Sequence, residues 1–343
     1  MPYVSTVTPA TTPALFHRLL DDAAVFPPGL APVDVAVTEF RRRASGPYAD
    51  LVGPLLIGAG AVGPLIDVVT GDTGLAAAKD GGAGPAPVDL ALVARPGTPL
   101  TVLADAVSRV RAEAAASLAL TGVELAHSPG WRAALEWGLP VAVEIVGPPE
   151  SVIGQLDDVA RVRADGHPVR TKLRTQSTPD TPLPEPAALG AFLLWCVRHR
   201  LPFKLTGGLH HAAPTRATAP DGGTETQHGL LNVLLATELA DASVWGTAPT
   251  GPGATAAHPS PDAESATVRE RVISTLAETD PRDLARRTSE LTDDRAAALR
   301  RHFTSYGCCG VLDPIGELTA LALLAPAASP EHPAETTPED EDA

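Results

Sequence analysis

Lysine and asparagine are nearly missing from this chain. Lys79, Lys172 and Lys204 stand against 23 arginines (26 basic residues less 3), and Asn232 is the only asparagine. The bias toward Ala, Gly, Pro and Arg reads as a GC-rich coding sequence, which depletes several residue types for reasons unrelated to function. A rare residue that persists is then a better candidate for chemistry. Cysteine is scarce too: Cys196, Cys308 and Cys309 are odd in number and lack CxxC spacing, so they make no disulfide framework. No stretch approaches the ~18 uninterrupted apolar residues of a membrane span. The 26 basic residues are scattered and the formal charge is −15, so the footprint of a nucleic-acid binder is absent and anionic membrane is a poor partner. The opening MPYVSTVTPATTPAL has neither a positive leader nor an apolar run, which predicts no secretory signal and a cytoplasmic protein.

What is present is enough for one large domain: 343 residues, 44% hydrophobic and 20% charged. From Pro326 the chain reads PAASPEHPAETTPEDEDA, with six acidic residues and four prolines, and is expected to be a disordered acidic tail over 326–343. Removing those charges leaves −15 + 6 = −9 for a single domain over 1–325. Two weakly patterned stretches, 212–226 and 246–265, read as mobile insertions. Elsewhere short apolar runs bounded by Gly or Pro alternate with helical segments. Strand candidates are Val52–Ala59, Val88–Ala94, Gly122–Ala126, Pro140–Val146, Val169–Thr175 and Pro202–Thr206. Helical character falls on Leu100–Ser117, Gly130–Trp137, Ser151–Ala164 and Pro186–Arg200, the last with Leu189, Phe192, Leu193 and Cys196 on one face. A first strand near Ala23–Phe26 and a last near Phe303–Cys308 bring the count to eight, the number of a closed (β/α)8 TIM-like barrel. An open doubly wound sheet is the alternative. No GxGxxG follows the first strand, however, and the GAGAVG at 58–63 has the wrong glycine spacing and no clear helix behind it.

In either fold a site belongs at the carboxyl ends of the strands. In VRTKLRTQ (169–176), period-two alternation puts Lys172, Arg174 and Gln176 on one face, unwelcome to a helix layer and so directed inward. In PFKLTGG (202–208), Lys204 and Thr206 point inward likewise. Neighbouring strands lie about 4.8 Å apart, so the two ammoniums can feel one another, and a desolvated lysine beside a cation becomes a nucleophilic, imine-forming amine. The structural reading is that each lysine pairs with a buried carboxylate, Glu144 in VAVEIV being the obvious one. Glu144 is therefore a candidate acid/base or a lysine partner, and Glu124 a weaker version of it. Gly207 and Gly208 either present N–H groups to a carboxylate or phosphate, or simply make a tight turn. His210, His211, His228 and Asn232 are candidate substrate contacts, with His210 a candidate proton carrier and His228 and Asn232 on one helical face. Histidines converging with a glutamate would suit zinc or iron, although adjacent histidines point apart. Asp21 and Asp22 close a first helix and could cap it or reach the mouth, with capping favoured. Cys308 and Cys309 end the last strand, as a nucleophile or as small buried thiols.

The motifs DDAAVFPPG, KxRT, FKxTxGLHH, HGxLNV and SYGCC resemble a family of uncharacterised bacterial α/β-barrel-like proteins over most of residues 15 to 325, a resemblance that implies positions and no activity. Separately, Lys172-Leu173-Arg174-Thr175 followed by Lys204-Leu205-Thr206-Gly207-Gly208 is similar to the paired strand ends of class I aldolases of the deoxyribose-phosphate aldolase type. That resemblance implies Lys172 as Schiff-base nucleophile and Lys204 as its activator. Arg174 replaces a small hydroxyl residue there, and His210-His211 has no counterpart.

The leading expectation is a cofactor-free enzyme acting on a small anionic carbonyl compound, with Glu144 or His210 moving protons and Arg174 with the Gly207-Gly208 backbone holding the anion. Alternatives are a metal-dependent lyase or hydrolase using His210, His211 and His228, and a non-catalytic metabolite-binding protein. A homo-oligomer is left open.

Overall fold

The structure is a computed structural model that describes residues 13–71, 86–179, 181–246 and 266–327. Eight parallel strands, β1 (Leu20–Asp22), β2 (Val52–Gly58), β3 (Val88–Val93), β4 (Leu118–Ala126), β5 (Val141–Glu144), β6 (Val169–Arg174), β7 (Phe203–Thr206) and β10 (Phe303–Cys308), close into a barrel. Their order is β1-β10-β7-β6-β5-β4-β3-β2. Because β1 pairs with β10 on one side and β2 on the other, no edge remains, and the fold is the (β/α)8-type barrel rather than the open sheet.

Helices α1 (Val33–Ala44), α2 (Val62–Gly71), α3 (Leu100–Glu113), α4 (Pro149–Ala164), α5 (Pro186–Arg198), α6 (Leu230–Trp245), α7 (Ala266–Ala277), α8 (Pro281–Ser289), α9 (Asp293–His302) and α10 (Leu312–Ala320) complete the described elements. The strands are apolar on the face that meets the helices. Leu55, Ile57, Leu90, Leu92, Val123, Val143 and Leu205 are buried with Leu65, Leu103, Leu193 and Val197 in one core, each large side chain contributing roughly 1.5–3 kcal/mol of burial. The face turned into the barrel differs. Near β2 and β3 it carries Leu56, Ala91 and Val93, while toward β6 and β7 it carries the two lysines.

Helix α6 is apolar on all sides because α5, α7, α8 and α9 all pack against it, forming a second helical layer on one flank of the barrel.

Several expectations need correction. The first strand is Leu20–Asp22, and Ala23–Phe26 form the turn after it. Asp21 and Asp22 are therefore buried strand residues rather than caps of a first helix. A helix, α2, does follow the GAGAVG segment. The helical character expected over Gly130–Trp137 is present as a 3-10 helix, Trp131–Trp137. The expected insertion at 212–226 contains an antiparallel hairpin of β8 (Thr215–Thr218) and β9 (Thr224–Gln227), whose alternating Thr residues suit a two-stranded ladder. Of the second expected insertion, 247–265 lie outside the described residues, as do 328–343 of the acidic tail.

Candidate active site

The register sets the site. Lys172 on β6 is aligned with Lys204 on β7, Glu144 at the end of β5 with Lys172, and Ser305 on β10 with Lys204. A one-residue slip of β6 would turn Lys172 into the helix layer. As placed, both ammoniums point inward and are almost fully buried, with 3% of Lys172 and 0% of Lys204 exposed.

Each lysine is held by two carboxylates. Lys172 Nζ lies 3.0 Å from Glu124 Oε2 and 2.9 Å from Glu144 Oε2. Lys204 Nζ lies 2.6 Å from Asp21 Oδ2 and also contacts Glu124 Oε1. Ser305 Oγ donates to Asp21 Oδ2 at 2.8 Å, and Arg174 Nε donates to Glu144 Oε1 at 3.3 Å. The result is an unbroken alternation, Ser305, Asp21, Lys204, Glu124, Lys172, Glu144, Arg174. Three cations and three anions offset one another, which is how so many charges tolerate a low-dielectric interior. At the amino end of the strands, Arg170 donates to Thr304 Oγ1 at 2.9 Å. Nearby Arg300 is buried so deeply that its guanidinium is pushed down to about 10 against the opposing charge of Asp21.

The proton affinities follow from this pairing. Burial by itself would push the Lys172 ammonium down, but the charges of Glu124 and Glu144 outweigh it and hold its pKa above the ordinary lysine value. Burial would raise Glu144, yet Lys172 and Arg174 hold it below the usual carboxylate range. Glu124 is held lower still, by Lys204 and Lys172. In its resting state Lys172 is therefore an ammonium between two carboxylates, the direction opposite to that of a free amine.

A cavity of about 50 Å³ opens above this network at the carboxyl ends of the strands. It is lined by Lys172, Arg174, Glu124 and Glu144 on one side, by Leu56, Val93, Phe26 and Arg95 on the other, and by Thr206, Gly207 and Gly307 between. Lys204 lies beneath it and does not line it. Three larger clefts, about 890 Å³ beside the β8–β9 hairpin, about 520 Å³ between α6, α7, α8 and α9, and about 220 Å³ between the end of α1 and α10, touch no member of the network. Only the small one is lined by members of the ion-pair network, from β4, β5 and β6, and we take it as the candidate site.

The remaining candidates are distributed differently. Gly207 and Gly208 have φ of +71° and +75°, and a Cβ on Gly208 would stand 2.2 Å from the Thr175 carbonyl oxygen, so glycine is required by the turn itself. The Gly207 N–H already donates to the Gly307 carbonyl at 3.4 Å, which makes it a poor anion cradle. His210 stands over the end of β10, its Nδ1 3.6 Å from Cys309 Sγ and 3.9 Å from Cys308 Sγ, and outside the cavity lining. Burial, reinforced by His211, keeps His210 below the ordinary histidine value, and burial raises both thiols.

His211 Nδ1 meets Glu317 Oε1 of α10 at 2.6 Å. His228 Nε2 donates to the Pro184 carbonyl at 2.7 Å, and burial holds that ring below its usual pKa. Asn232 Nδ2 donates to the carbonyls of Thr275 and Glu278 at 2.9 and 2.8 Å, tying down the carboxyl end of α7. His211, His228 and Asn232 thus lie away from the barrel-mouth cavity: Asn232 is fully buried against α7, His228 lines the cleft beside the β8–β9 hairpin, and His211 is a half-buried partner of Glu317. No group of three or more His, Cys, Asp or Glu able to hold a metal ion occurs among the described residues, and the three histidines have separate partners.

Sequence reasoning missed Ser305, Arg95 and Phe26 as parts of the site, and ranked Asp21 and Glu124 too low. Glu124 carried the same signal as Glu144, a carboxylate inside an apolar strand. Asp21 was open to reaching the mouth, but placing the first strand three residues late favoured a cap instead.

Compared with protein-family models, curated proteins and solved structures, the chain has no match in any of the three.

Proposed function

We propose that the protein is an enzyme acting on a small anionic carbonyl compound by forming an imine at Lys172, with lyase or aldolase chemistry as the class. The observation that carries this reading is that Lys172 alone of the two barrel lysines lines the mouth cavity, with a proton acceptor on either side and Lys204 sharing one of them.

The raised proton affinity of Lys172 has to be reversed on substrate binding, and Arg174 supplies the means. Glu144 is kept ionised by Lys172 and Arg174 together. A substrate anion that recruits the Arg174 guanidinium weakens that hold, so Glu144 becomes the stronger base and takes the Lys172 proton. The free amine then adds to the carbonyl carbon, the carbonyl oxygen leaves as water with protons returned through Glu144, and an iminium remains. Ammonium plus carbonyl becomes iminium plus water, with no oxidant or cofactor. The iminium draws electrons from an adjacent carbon–carbon or carbon–hydrogen bond, and the Glu124–Lys204–Asp21 chain stabilises the charge beneath it.

The test is intact-mass analysis after borohydride treatment with a panel of small aldehydes, ketones and 2-oxo acids. A reduced adduct on the wild type that disappears in Lys172→Ala is the expected result. A protein that binds panel compounds without ever forming an adduct would be a metabolite-binding protein instead.

A further inference from the structure

Two arginines line the mouth cavity. Arg174 ends β6 and Arg95 lies two residues beyond β3, and three strand steps of an eight-stranded ring separate β6 from β3, most of the way to the opposite wall. Arg174 commits only its Nε, to Glu144. Among the described residues its two Nη groups meet no hydrogen-bond acceptor, and the Arg95 guanidinium makes only a ring contact, 5.3 Å from the centroid of Phe26. A planar guanidinium fork with free donors matches a carboxylate in two-point contact. The wall between them at β4 and β5 carries Glu124 and Glu144, which repel an anion, and the opposite wall carries Leu56 and Val93, which offer it nothing. Within the cavity lining, an anion has two places to go.

Resting on the imine reading of Lys172, we infer that the substrate is a small 2-oxo dicarboxylate, with one carboxylate at Arg174 and the other at Arg95. Arg174 is two residues above Lys172 on the same strand face, roughly 6.6 Å along the strand. A carboxylate held there is next to the carbonyl that Lys172 attacks, which makes it the 1-carboxylate of a 2-oxo acid. The far carboxylate then spans the cavity toward Arg95, over the apolar patch of Leu56 and Val93. A phosphate ester fits less well, since the Gly207 N–H is already bonded to Gly307 and so is not free to cradle phosphate oxygens.

The experiment compares 2-oxoglutarate, pyruvate and glyceraldehyde 3-phosphate as borohydride-trapped adducts and as ligands in calorimetry, on wild type, Arg95→Gln and Arg95→Lys. The expected result is about tenfold preference for 2-oxoglutarate over pyruvate in both measurements, abolished in Arg95→Gln and partly kept in Arg95→Lys. Equal labelling by pyruvate, stronger labelling by the phosphorylated aldehyde, or a preference unchanged in Arg95→Gln would overturn the assignment. Arg95-dependent binding of 2-oxoglutarate with no adduct would leave the substrate class standing and remove the imine mechanism. No binding and no adduct would remove both.

Discussion

Two clusters of polar side chains lie in apolar surroundings in this protein, and they differ in what satisfies them. At the amino end of α6, Asn232 and His228 donate to backbone carbonyls of α7 and of the loop before α5. Inside the barrel, Asp21, Glu124, Glu144, Lys172, Lys204 and Arg174 are ion-paired with one another, and four of them line a cavity. A side chain bonded to a fixed carbonyl has one arrangement and serves packing. Ionised groups bonded to one another can redistribute protons when a ligand enters, which is what acid–base chemistry needs.

The sharpest way to break this comparison is to remove the carboxylate shared by both lysines. Glu124→Ala leaves each ammonium with one remaining partner, and a loss of ~3–5 kcal/mol in urea unfolding is expected, together with loss of any Lys172 adduct. A loss below about 1 kcal/mol would mean that the alternation is not a coupled unit. Next in size is Asn232→Ala. Unsatisfied carbonyls at the end of α7 predict a loss of ~1–3 kcal/mol with adduct formation unchanged. Should labelling fail while the protein stays folded, Asn232 would belong to the site after all.

The smallest effect separates the clusters by pH. The folded-state pKa of His228 lies below the ordinary histidine value of 6.5, so its contribution is present above pH 6.5 and is lost as pH falls from there toward the folded value. Glu144 is likewise depressed, but from the ordinary carboxylate value of 4.5, and its contribution is lost only as pH falls below that. Unfolding midpoints measured across this range should therefore flatten between pH 6.5 and 4.5 in His228→Gln and keep their slope in Glu144→Gln. The reverse pattern would show that the barrel network titrates first.

Much of the fold was legible in local pattern. Apolar runs bounded by Gly and Pro placed seven of the eight strands within a few residues, and the spacing of Leu189, Phe192, Leu193 and Cys196 matched the buried face of α5. The strand that was misplaced, β1, is three residues long and contains two aspartates, so it carries almost no hydrophobic signal. The hairpin at 215–227 was hidden for a related reason, since a two-stranded ribbon on the surface needs no apolar face.

The amino-acid sequence carried the alternation of strands and helices, with a closed barrel favoured over an open sheet, and put Lys172, Arg174 and Lys204 on the strand face turned from the helices, because side-chain alternation with period two is a property of each strand alone. It did not determine which charges would meet. Asp21 and Lys204 are 183 residues apart and touch only because β1 and β7 flank β10 in the closed ring. That closure gave each lysine two carboxylates and left the outer nitrogens of Arg174, and the Arg95 guanidinium stacked on Phe26, without a hydrogen-bond acceptor among the described residues. It also drew Asn232 under α7, where the single asparagine of the chain holds a helix end. Ion pairing across a barrel depends on ring order and register, and both are tertiary facts.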